Sequence, residues 1–263
     1  MNVIVRKILE EGRAEGVFAY RRVHGGLFPA LFTRENMDAL EPWKPFKARY
    51  PIAKLLLLEA RRNPGKTYGA VVRGCEERAV YELFKWNQLQ PQQVILLGQA
   101  CPAELAQYCE CWKPFPDNLH FGEPVKGIDQ SQRVAEIDAK AGGERLDWWL
   151  AHFNRCIKCF GCRDVCPVCF CTECSLEHQA LIPAGVLPPD SSFHLVRALH
   201  MAGRCIDCGL CEEVCPAKIP LRALYKRVNG LVEEIFDYKT GLPDGISPFS
   251  MLGEEMALPT GKG

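Results

Sequence analysis

The 263-residue sequence has no excess of charge and no long apolar run. Lys plus Arg and Asp plus Glu both number 32, so no basic surface for nucleic acid or acidic lipid is expected. The longest apolar stretch, residues 52–58, contains Lys54 and is far shorter than the ~20 residues of a membrane helix. The N-terminus lacks the apolar core and cleavage site of a secretory signal. We therefore expect a cytoplasmic protein with no membrane span and no nucleic-acid partner.

The sequence also lacks the usual signatures of nucleotide and catalytic sites. It contains no Gly-x-Gly-x-x-Gly, and Lys66 in NPGKTYG has no upstream glycine to complete a phosphate-binding loop. The six histidines have no triad or metal-ligand spacing, and His194 and His200 are predicted to be packing or surface residues. We expect no substrate site in this chain.

Cysteine is abundant, with 15 residues. The odd number, in a compartment expected to be reducing, argues against a disulfide framework. Residues 156–174 read CIKCFGCRDVCPVCFCTEC and contain seven of the cysteines. Metal ligation is the favoured interpretation.

Two copies of one motif, RCIKCFGCRDVCP and RCIDCGLCEEVCP, begin at Arg155 and Arg204. Both follow Cys-x2-Cys-x2-Cys-x3-Cys-Pro, which is typical of 4Fe–4S proteins, whereas zinc sites usually use separated Cys-x2-Cys pairs. The proline after the fourth cysteine cannot continue a hydrogen-bonded helix, so this cysteine is expected to bind the other motif's cluster. The predicted ligands of the first cluster are Cys156, Cys159, Cys162 and Cys215. The predicted ligands of the second cluster are Cys205, Cys208, Cys211 and Cys166.

Three helices are predicted around these motifs, beginning near Gly143, at Ser191 or Ser192, and at Leu221. The apolar residues predicted to share a helix face are Leu146, Trp149, Leu150 and Phe153 in the first helix, and Phe193, Val196 and Leu199 in the second. Of the pair Trp148 and Trp149, one is expected in the core and the other at a subunit interface. The order helix–motif–helix–motif–helix over residues 143–237 resembles the alpha-helical ferredoxin module of succinate dehydrogenase iron–sulfur subunits and heterodisulfide reductase.

The N-terminal half has a different pattern. A helix is predicted over residues 3–11 and a strand over residues 16–23, followed by an irregular stretch with four prolines, Pro29, Pro42, Pro45 and Pro51. Helices beginning at Ile52 and Cys75 then alternate with apolar strands over residues 68–74 and 94–99. This order predicts a small parallel sheet covered by helices. Cys75 and Cys101 each follow a strand, at the sheet edge where ligands usually bind.

The segment RGCEERAVYELFKWNQLQPQQVILLGQACP resembles the beta-subunit family of deazaflavin-reducing hydrogenases and formate dehydrogenases. The residues that match the family's Gly-Cys-Asp-x-Arg-Ala turn, with Glu in place of Asp, are Gly74, Cys75, Glu76, Arg78 and Ala79. Cys109 and Cys111 resemble the family's next cysteine-rich element, with one residue fewer between them. The resemblance covers residues 52–125. Flavin-binding members carry a further large domain whose place the ferredoxin module takes here, so the resemblance implies that this chain binds no flavin.

Eight of the 15 cysteines are assigned to the two clusters, which leaves seven. As small buried hydrophobic residues, Cys75 or Cys101 would be unremarkable, but the three thiols of VCFCTEC next to a cluster would be open to oxidation. A third 4Fe–4S cluster is the alternative. Its predicted ligands are Cys75, Cys101, Cys109 and Cys111, with Cys171 or Cys174 as replacements, and Cys169 is the remaining surplus cysteine.

The predicted fold class is α+β: a small α/β domain over residues 1–127, a helical dicluster ferredoxin domain over 128–237, and an extended tail over 238–263. Apolar residues in the tail are expected to order on a partner; they are Ile246, Phe249, Met251, Leu252 and Met256. The predicted function is electron transfer within a multi-subunit redox complex, of formate dehydrogenase, hydrogenase or heterodisulfide-reductase-like type. The predicted partner is a flavoprotein or a metal-containing dehydrogenase or hydrogenase. The alternative is a flavin-containing subunit that itself exchanges electrons with a soluble carrier.

Overall fold

The computed structural model describes residues 2–42 and 44–250. The chain divides into two compact units, Met1–Asp129 and Gln130–Gly263, which are treated separately below. Within the described residues, no helix combines the length and apolar character needed to span a membrane.

A five-stranded sheet forms the centre of the first unit. Its strands are β1 (Gly16–Val23), β2 (Gly26–Phe32), β3 (Tyr68–Val72), β4 (Val94–Gln99) and β5 (Leu119–Phe121). The helices are α1 (Asn2–Glu10), α2 (Ile52–Arg62), α3 (Gly74–Lys85) and α4 (Ala103–Tyr108), with 3-10 turns at Met37–Ala39 and Pro91–Gln93. The spatial order is β2-β1-β3-β4-β5. Strand β2 is antiparallel to β1, and the other neighbouring pairs are parallel.

The core of this unit is built where helices cover the parallel strands. All five residues of β3 are buried, which is typical of a central strand in a sheet covered on both faces. Helix α2 contributes Ile52 and Leu56, one helical turn apart, and both are fully buried. The mixed α/β class predicted from the sequence is confirmed.

Two strands were not predicted. The first part of the stretch that was expected to be irregular, from Pro29 onward, belongs to strand β2. In this strand Pro29 pairs with Tyr20 of β1. Because β2 lies at the edge of the sheet, a residue without an N–H can be tolerated there. Strand β5 has only three residues, too few to show a periodic pattern in the sequence.

The described residues of the second unit contain helices and no strand. The helices are α5 (Gln132–Asp138), α6 (Gly142–Phe153), α7 (Gly161–Asp164), α8 (Ser192–Met201), α9 (Leu210–Glu213) and α10 (Leu221–Phe236), with a 3-10 turn at Ser175–Glu177. The short α7 and α9 lie within the two cysteine motifs, and α6, α8 and α10 are the three longer helices predicted around them.

The buried faces of α6 and α8 differ from the predicted ones. In α8, Leu199 is 71% exposed, and the buried residues are Phe193, His194, Arg197, Ala198 and Met201. A helical face is set by what packs against it, and the inward face of α8 carries two polar side chains that an apolar pattern does not detect. In α6 only Phe153 is fully buried, while Trp148 and Trp149 are both half-buried.

Residues 238–250 pack on the second unit itself. Tyr238 is buried against Ala202 and Val232, and the Phe249 ring packs edge-on against Phe236. The Thr240 hydroxyl donates a hydrogen bond to Asn229 Oδ1 at 3.0 Å. Tyr238 is therefore buried within the chain, whereas Ile246 and Phe249, two of the apolar residues expected to order on a partner, stay 49% and 46% exposed. The expected tail residues Met251, Leu252 and Met256 lie outside the described residues.

Candidate metal centres

The two cysteine motifs fold into the same backbone shape. Lys158 and Asp207, each two residues after the first cysteine, have φ values of 51° and 58°. Phe160 and Gly209, each following the second cysteine, also lie in the left-handed region, with φ values of 57° and 73°. The one-turn helices α7 and α9 follow. The repeat in sequence is thus a repeat in structure.

This loop directs backbone N–H groups at the first sulfur of each motif. The Lys158 N–H donates to Cys156 Sγ at 3.3 Å. The Asp207 N–H donates in the same way to Cys205, where it opposes the rise that burial causes in the pKa of the thiol. Such N–H groups stabilise negative charge on a ligand sulfur.

The first thiol set joins three cysteines of the first motif with one from the second. The pKa of the Cys162 thiol is raised to about 11, mainly by burial; Arg197 opposes the rise, and the neighbouring thiols of Cys156, Cys215 and Cys159 contribute to it. Burial likewise raises the pKa of Cys156, to which Cys215 and Cys159 also contribute. Cys215 therefore lies beside the motif that precedes its own.

The second thiol set has the reciprocal composition. The pKa of the Cys205 thiol is raised to about 12, mainly by burial, and Cys166 is one of the neighbours that contribute to the rise. Cys211 has a pKa raised well above its usual value by burial, then by Cys205 and Cys166. Cys208 lies in the same loop and is half-buried. These proximities support the crossed ligation predicted from the motif spacing.

The two thiol sets differ in exposure. Cys159 is exposed, whereas the other seven motif cysteines are buried or half-buried. Two apolar residues in the first set's surroundings, Ile157 and Val214, are 53% and 42% exposed. The first set therefore reaches the surface of the second unit.

The donor chemistry fits iron–sulfur clusters. Each set consists of thiols, the soft ligands that bind such clusters. Because a coordinating metal deprotonates a thiol outright, raised thiol pKa values are no obstacle to ligation. Within residues 2–42 and 44–250, no three His, Cys, Asp or Glu side chains are arranged to hold a single metal ion.

A third group of cysteines converges in the first unit. Cys75 is the second residue of α3, directly after β3, and Cys101 follows β4, so both lie at the carboxyl edge of the parallel sheet. The pKa of the Cys101 thiol is raised to about 12, mainly by burial, and Cys111 and Cys109 are among the neighbours that contribute to the rise. Burial also raises the pKa of Cys75, with smaller contributions from Cys101 and Cys111. All four cysteines predicted for a third cluster are thus neighbours.

A glycine allows this convergence. A Cβ atom at Gly74 would lie 2.6 Å from the carbonyl oxygens of both Lys113 and Phe115. Only a residue without a side chain lets the start of α3 approach the segment after Cys111 this closely. The Cys101 N–H donates to the Pro114 carbonyl at 2.9 Å and holds the same segment from the other side.

Arginines that sequence reasoning did not single out as charge partners contact this third group. Arg49 Nη1 lies 3.5 Å from Cys109 Sγ, and Arg78 Nη2 lies 3.7 Å from Cys111 Sγ. Arg78 is 2% exposed and stacks over the Trp112 ring at 4.8 Å. Positive groups beside thiols favour the thiolate that binds metal. A buried arginine in an apolar helix pattern is the signal that could have identified Arg78.

The motif residue Glu76 caps a helix. Its carboxylate accepts the Arg73 N–H at 2.8 Å within a capping box at the start of α3. Burial raises the pKa of Glu76 to about 7, and the Arg73 charge and N–H oppose that rise. Glu76 therefore fixes the turn that carries Cys75.

The remaining surplus cysteines have neighbours in the second unit. Cys169 Sγ lies 3.8 Å from Arg197 Nη1. Cys174 packs, together with Cys156 and Phe160, against an apolar cluster that contains Leu176. Cys171 is exposed. Two of the three surplus thiols in this segment therefore border the proposed ligands.

The comparison with protein families assigns part of the second unit. Residues 152–219 match the model of the 4Fe-4S dicluster domain. This match contains all eight cysteines of the two motifs. The chain thus has a dicluster domain, and the prediction of two 4Fe–4S clusters is confirmed.

Curated relatives confirm the predicted resemblance to beta subunits. One is the F420-dependent formate dehydrogenase subunit beta of Methanocaldococcus jannaschii, 41% identical over 104 residues, covering 39% of this chain and 27% of the relative. Another is the F420-dependent formate dehydrogenase 1 subunit beta of Methanococcus maripaludis, 42% identical over 135 residues, covering 47% of this chain and 35% of the relative. The chain matches about a third of the length of these relatives.

Proposed function

We propose that this chain is the iron–sulfur electron-transfer subunit of a multi-subunit redox complex of formate dehydrogenase, hydrogenase or heterodisulfide-reductase-like type. The observation that carries the proposal is the proximity of thiols from the two motifs: Cys215 is a neighbour of Cys162, and Cys166 is a neighbour of Cys211. Bound 4Fe–4S clusters would supply one-electron transfer. The helical ferredoxin architecture proposed for the second unit agrees with its described helices.

The protein's own residues hold the ligand thiols in place. The left-handed residues of each motif turn the chain between its first three cysteines, and the proline after the fourth cannot continue the short helix. The N–H groups of Lys158 and Asp207 stabilise negative charge on sulfur. This rigid arrangement keeps two centres close together through electron uptake and release.

We further propose a third cluster in the first unit, bound by Cys75, Cys101, Cys109 and Cys111, with Cys171 or Cys174 as replacements. Their convergence at the carboxyl edge of the sheet supports this assignment. Arg49 and Arg78 would balance the negative charge of the four thiolates.

The proposed partner is a flavoprotein or a metal-containing dehydrogenase or hydrogenase, and the proposed compartment is the cytoplasm. None of the 15 cysteines, all within the described residues, forms a disulfide, which suits a reducing environment. The relatives are F420-dependent by name, and we propose that the flavin chemistry needed for such a carrier resides on a partner subunit. The exposed surface around Cys159, Ile157 and Val214 is where that partner would approach the first centre.

The test is anaerobic isolation of the complex, with iron and sulfide analysis of this subunit. We expect at least about eight iron and eight sulfide per chain, by four-iron arithmetic. Electron paramagnetic resonance should show the clusters becoming reduced when the substrate of the partner subunit is added. An iron-loaded subunit that the partner fails to reduce would refute the electron-transfer role.

A further inference from the structure

Arg197 is a buried cation between the two cysteine motifs. It lies on the inward face of α8 and is 3% exposed. Its Nη2 donates to the Cys162 carbonyl oxygen at 2.7 Å, and its Nη1 points at Cys169 Sγ at 3.8 Å. The guanidinium carbon is 5.8 Å from the centre of the Tyr225 ring. In the described part of the chain, Arg197 has no ion pair with a carboxylate.

Such a charge needs a negative counterpart. Transferring an arginine from water into a protein interior costs several kcal/mol unless an opposite charge compensates it. A carbonyl oxygen and a distant aromatic ring compensate only part of this cost. The compensating charge must therefore come from groups that ionise or bind metal nearby.

The groups near Arg197 are thiols of both motifs. Burial raises the pKa of Cys162 and of Cys211, and in both cases the Arg197 charge opposes that rise. Cys166 and Cys169 are also its electrostatic neighbours. Cys162 belongs to the first ligand set, and Cys166 and Cys211 belong to the second. Arg197 thus contacts the first set through the Cys162 carbonyl oxygen and is an electrostatic neighbour of Cys166 and Cys211 in the second.

We propose that Arg197 is the shared counter-charge of the two 4Fe–4S centres and raises the reduction potential of both. This inference rests on the proposed ligand sets. A reduced cluster carries one more negative charge than an oxidised one, so a fixed cation at the same distance stabilises the reduced form more. Because the site is buried, water screens this interaction little. Arg197 is not a cluster ligand; it acts on the clusters through its charge, beside the cysteine ligands.

The test is a redox titration of the full-length, cluster-loaded chain, followed by electron paramagnetic resonance. Arg197→Met keeps an unbranched stem and removes the charge. We expect both potentials to fall so that, at a fixed ambient potential, the ratio of reduced to oxidised cluster drops at least tenfold, which is 59 mV for a one-electron couple. Arg197→Lys keeps the charge and should shift each ratio less than the Met variant.

The control removes an equivalent charge from an exposed position of the same unit. Arg227 is paired with Asp138 at 2.8 Å, and its side chain is 43% exposed. Arg227→Met should leave both ratios within about threefold of wild type, because water screens that charge.

The outcomes separate this inference from the proposed function. Unchanged potentials in Arg197→Met would overturn the counter-charge role, and a shift in one cluster alone would overturn its shared character. If Arg197→Met does not retain clusters, Arg197→Lys becomes the deciding variant. A tenfold drop in its ratio of reduced to oxidised cluster, with the positive charge still present, would refute an effect of charge. A wild-type chain that binds fewer than two clusters would instead refute the proposed function.

Discussion

At the scale of single residues, the surroundings of each sulfur decide what a cysteine can do. Cys166 and Cys169 are three residues apart, yet Cys166 lies with the second thiol set while Cys169 contacts Arg197. Distance along the sequence therefore does not distinguish the proposed ligands from the other cysteines of this segment. The charge and burial around each thiol distinguish the two cysteines, so a variant of Cys169 can serve as the control for a variant of Cys166.

Replacing Cys166 with Ser should damage the second cluster and spare the first. The hydroxyl is a poorer ligand for iron than the thiolate, so iron should fall from the wild-type value by about four per chain. The measurement is iron analysis with electron paramagnetic resonance of the reduced protein. Cys169→Ser is the matched control and should retain wild-type iron. Loss of the first cluster's signal in Cys166→Ser would refute the crossed ligation.

The double variant Cys75→Ser, Cys101→Ser tests the third cluster. Removing two of four ligands should lower the iron content from about twelve to about eight per chain and leave the dicluster signals in place. Cys171→Ser, Cys174→Ser should keep about twelve if these residues are not ligands. An anaerobically prepared wild type that saturates near eight iron would contradict a third cluster.

At the scale of elements, helix α8 shows how a short helix serves two purposes. Its inward face places Phe193 against Phe160 of the first motif and Arg197 against Cys162. Its last residue, Met201, accepts a hydrogen bond from the Asn229 side chain of α10 through its carbonyl oxygen. The second motif begins only three residues later. The alignment of α8 and α10 therefore determines where that motif lies.

Residues 238–250 hold this alignment from outside. Ser247 is 2% exposed, and its hydroxyl oxygen lies 2.6 Å from the position that a Cβ atom on Gly203 would occupy. Thr240 bonds to Asn229, the residue that links α10 to α8. The segment thus packs directly beside the start of the second motif at Arg204.

Truncation after Asp237 should destabilise the second unit. Loss of the buried Tyr238 side chain alone removes about 2 kcal/mol of apolar burial, and Thr240 and Ser247 contribute further contacts. We expect a lower unfolding midpoint in denaturant and weaker retention of the second cluster. Truncation after Ser250 is the matched control and should preserve both properties. Equal stability of the two truncated chains would show that residues 238–250 contribute nothing.

At the scale of the whole molecule, the balance of charge favours association with other proteins. The formal net charge is zero, so the chain has no strong self-repulsion and no global attraction to nucleic acid. The first thiol set opens to the surface through Cys159 beside two exposed apolar residues. A cluster ligand at the surface shortens the distance to an external electron donor or acceptor. These features favour a chain that works within a complex.

The location of the flavin tests the alternative function. If flavin belongs to a partner, acid treatment of the isolated subunit should release no yellow chromophore, while the same treatment of the complex should. The measurement is visible absorbance of the supernatant, with protein concentration matched between the two samples. One flavin per isolated chain would instead favour a subunit that exchanges electrons with the soluble carrier itself.

The sequence by itself determined the dicluster domain and most of the regular elements. Ligand spacing within one loop is a local property, so the two motifs can be recognised from the order of the cysteines alone. The long helices α2, α3, α8 and α10 have a strong enough apolar period to be placed within a few residues. Strand β2 was not predicted because a proline normally indicates the end of a strand, unless that strand is known to lie at the edge of a sheet.

Only the tertiary structure decided which charged side chains lie beside the cysteines, how closely the backbones approach, and which segments cover the second unit. Cys75 and Cys111 are neighbours because parallel strands end at one edge of the sheet and Gly74 allows close backbone approach. Arg197 faces the thiols because the inward face of α8 depends on the elements packed against it. Tyr238, Thr240 and Ser247 are buried because residues 238–250 fold back on the second unit. Each of these features depends on how segments far apart in sequence pack against one another, which residue spacing along the chain does not fix.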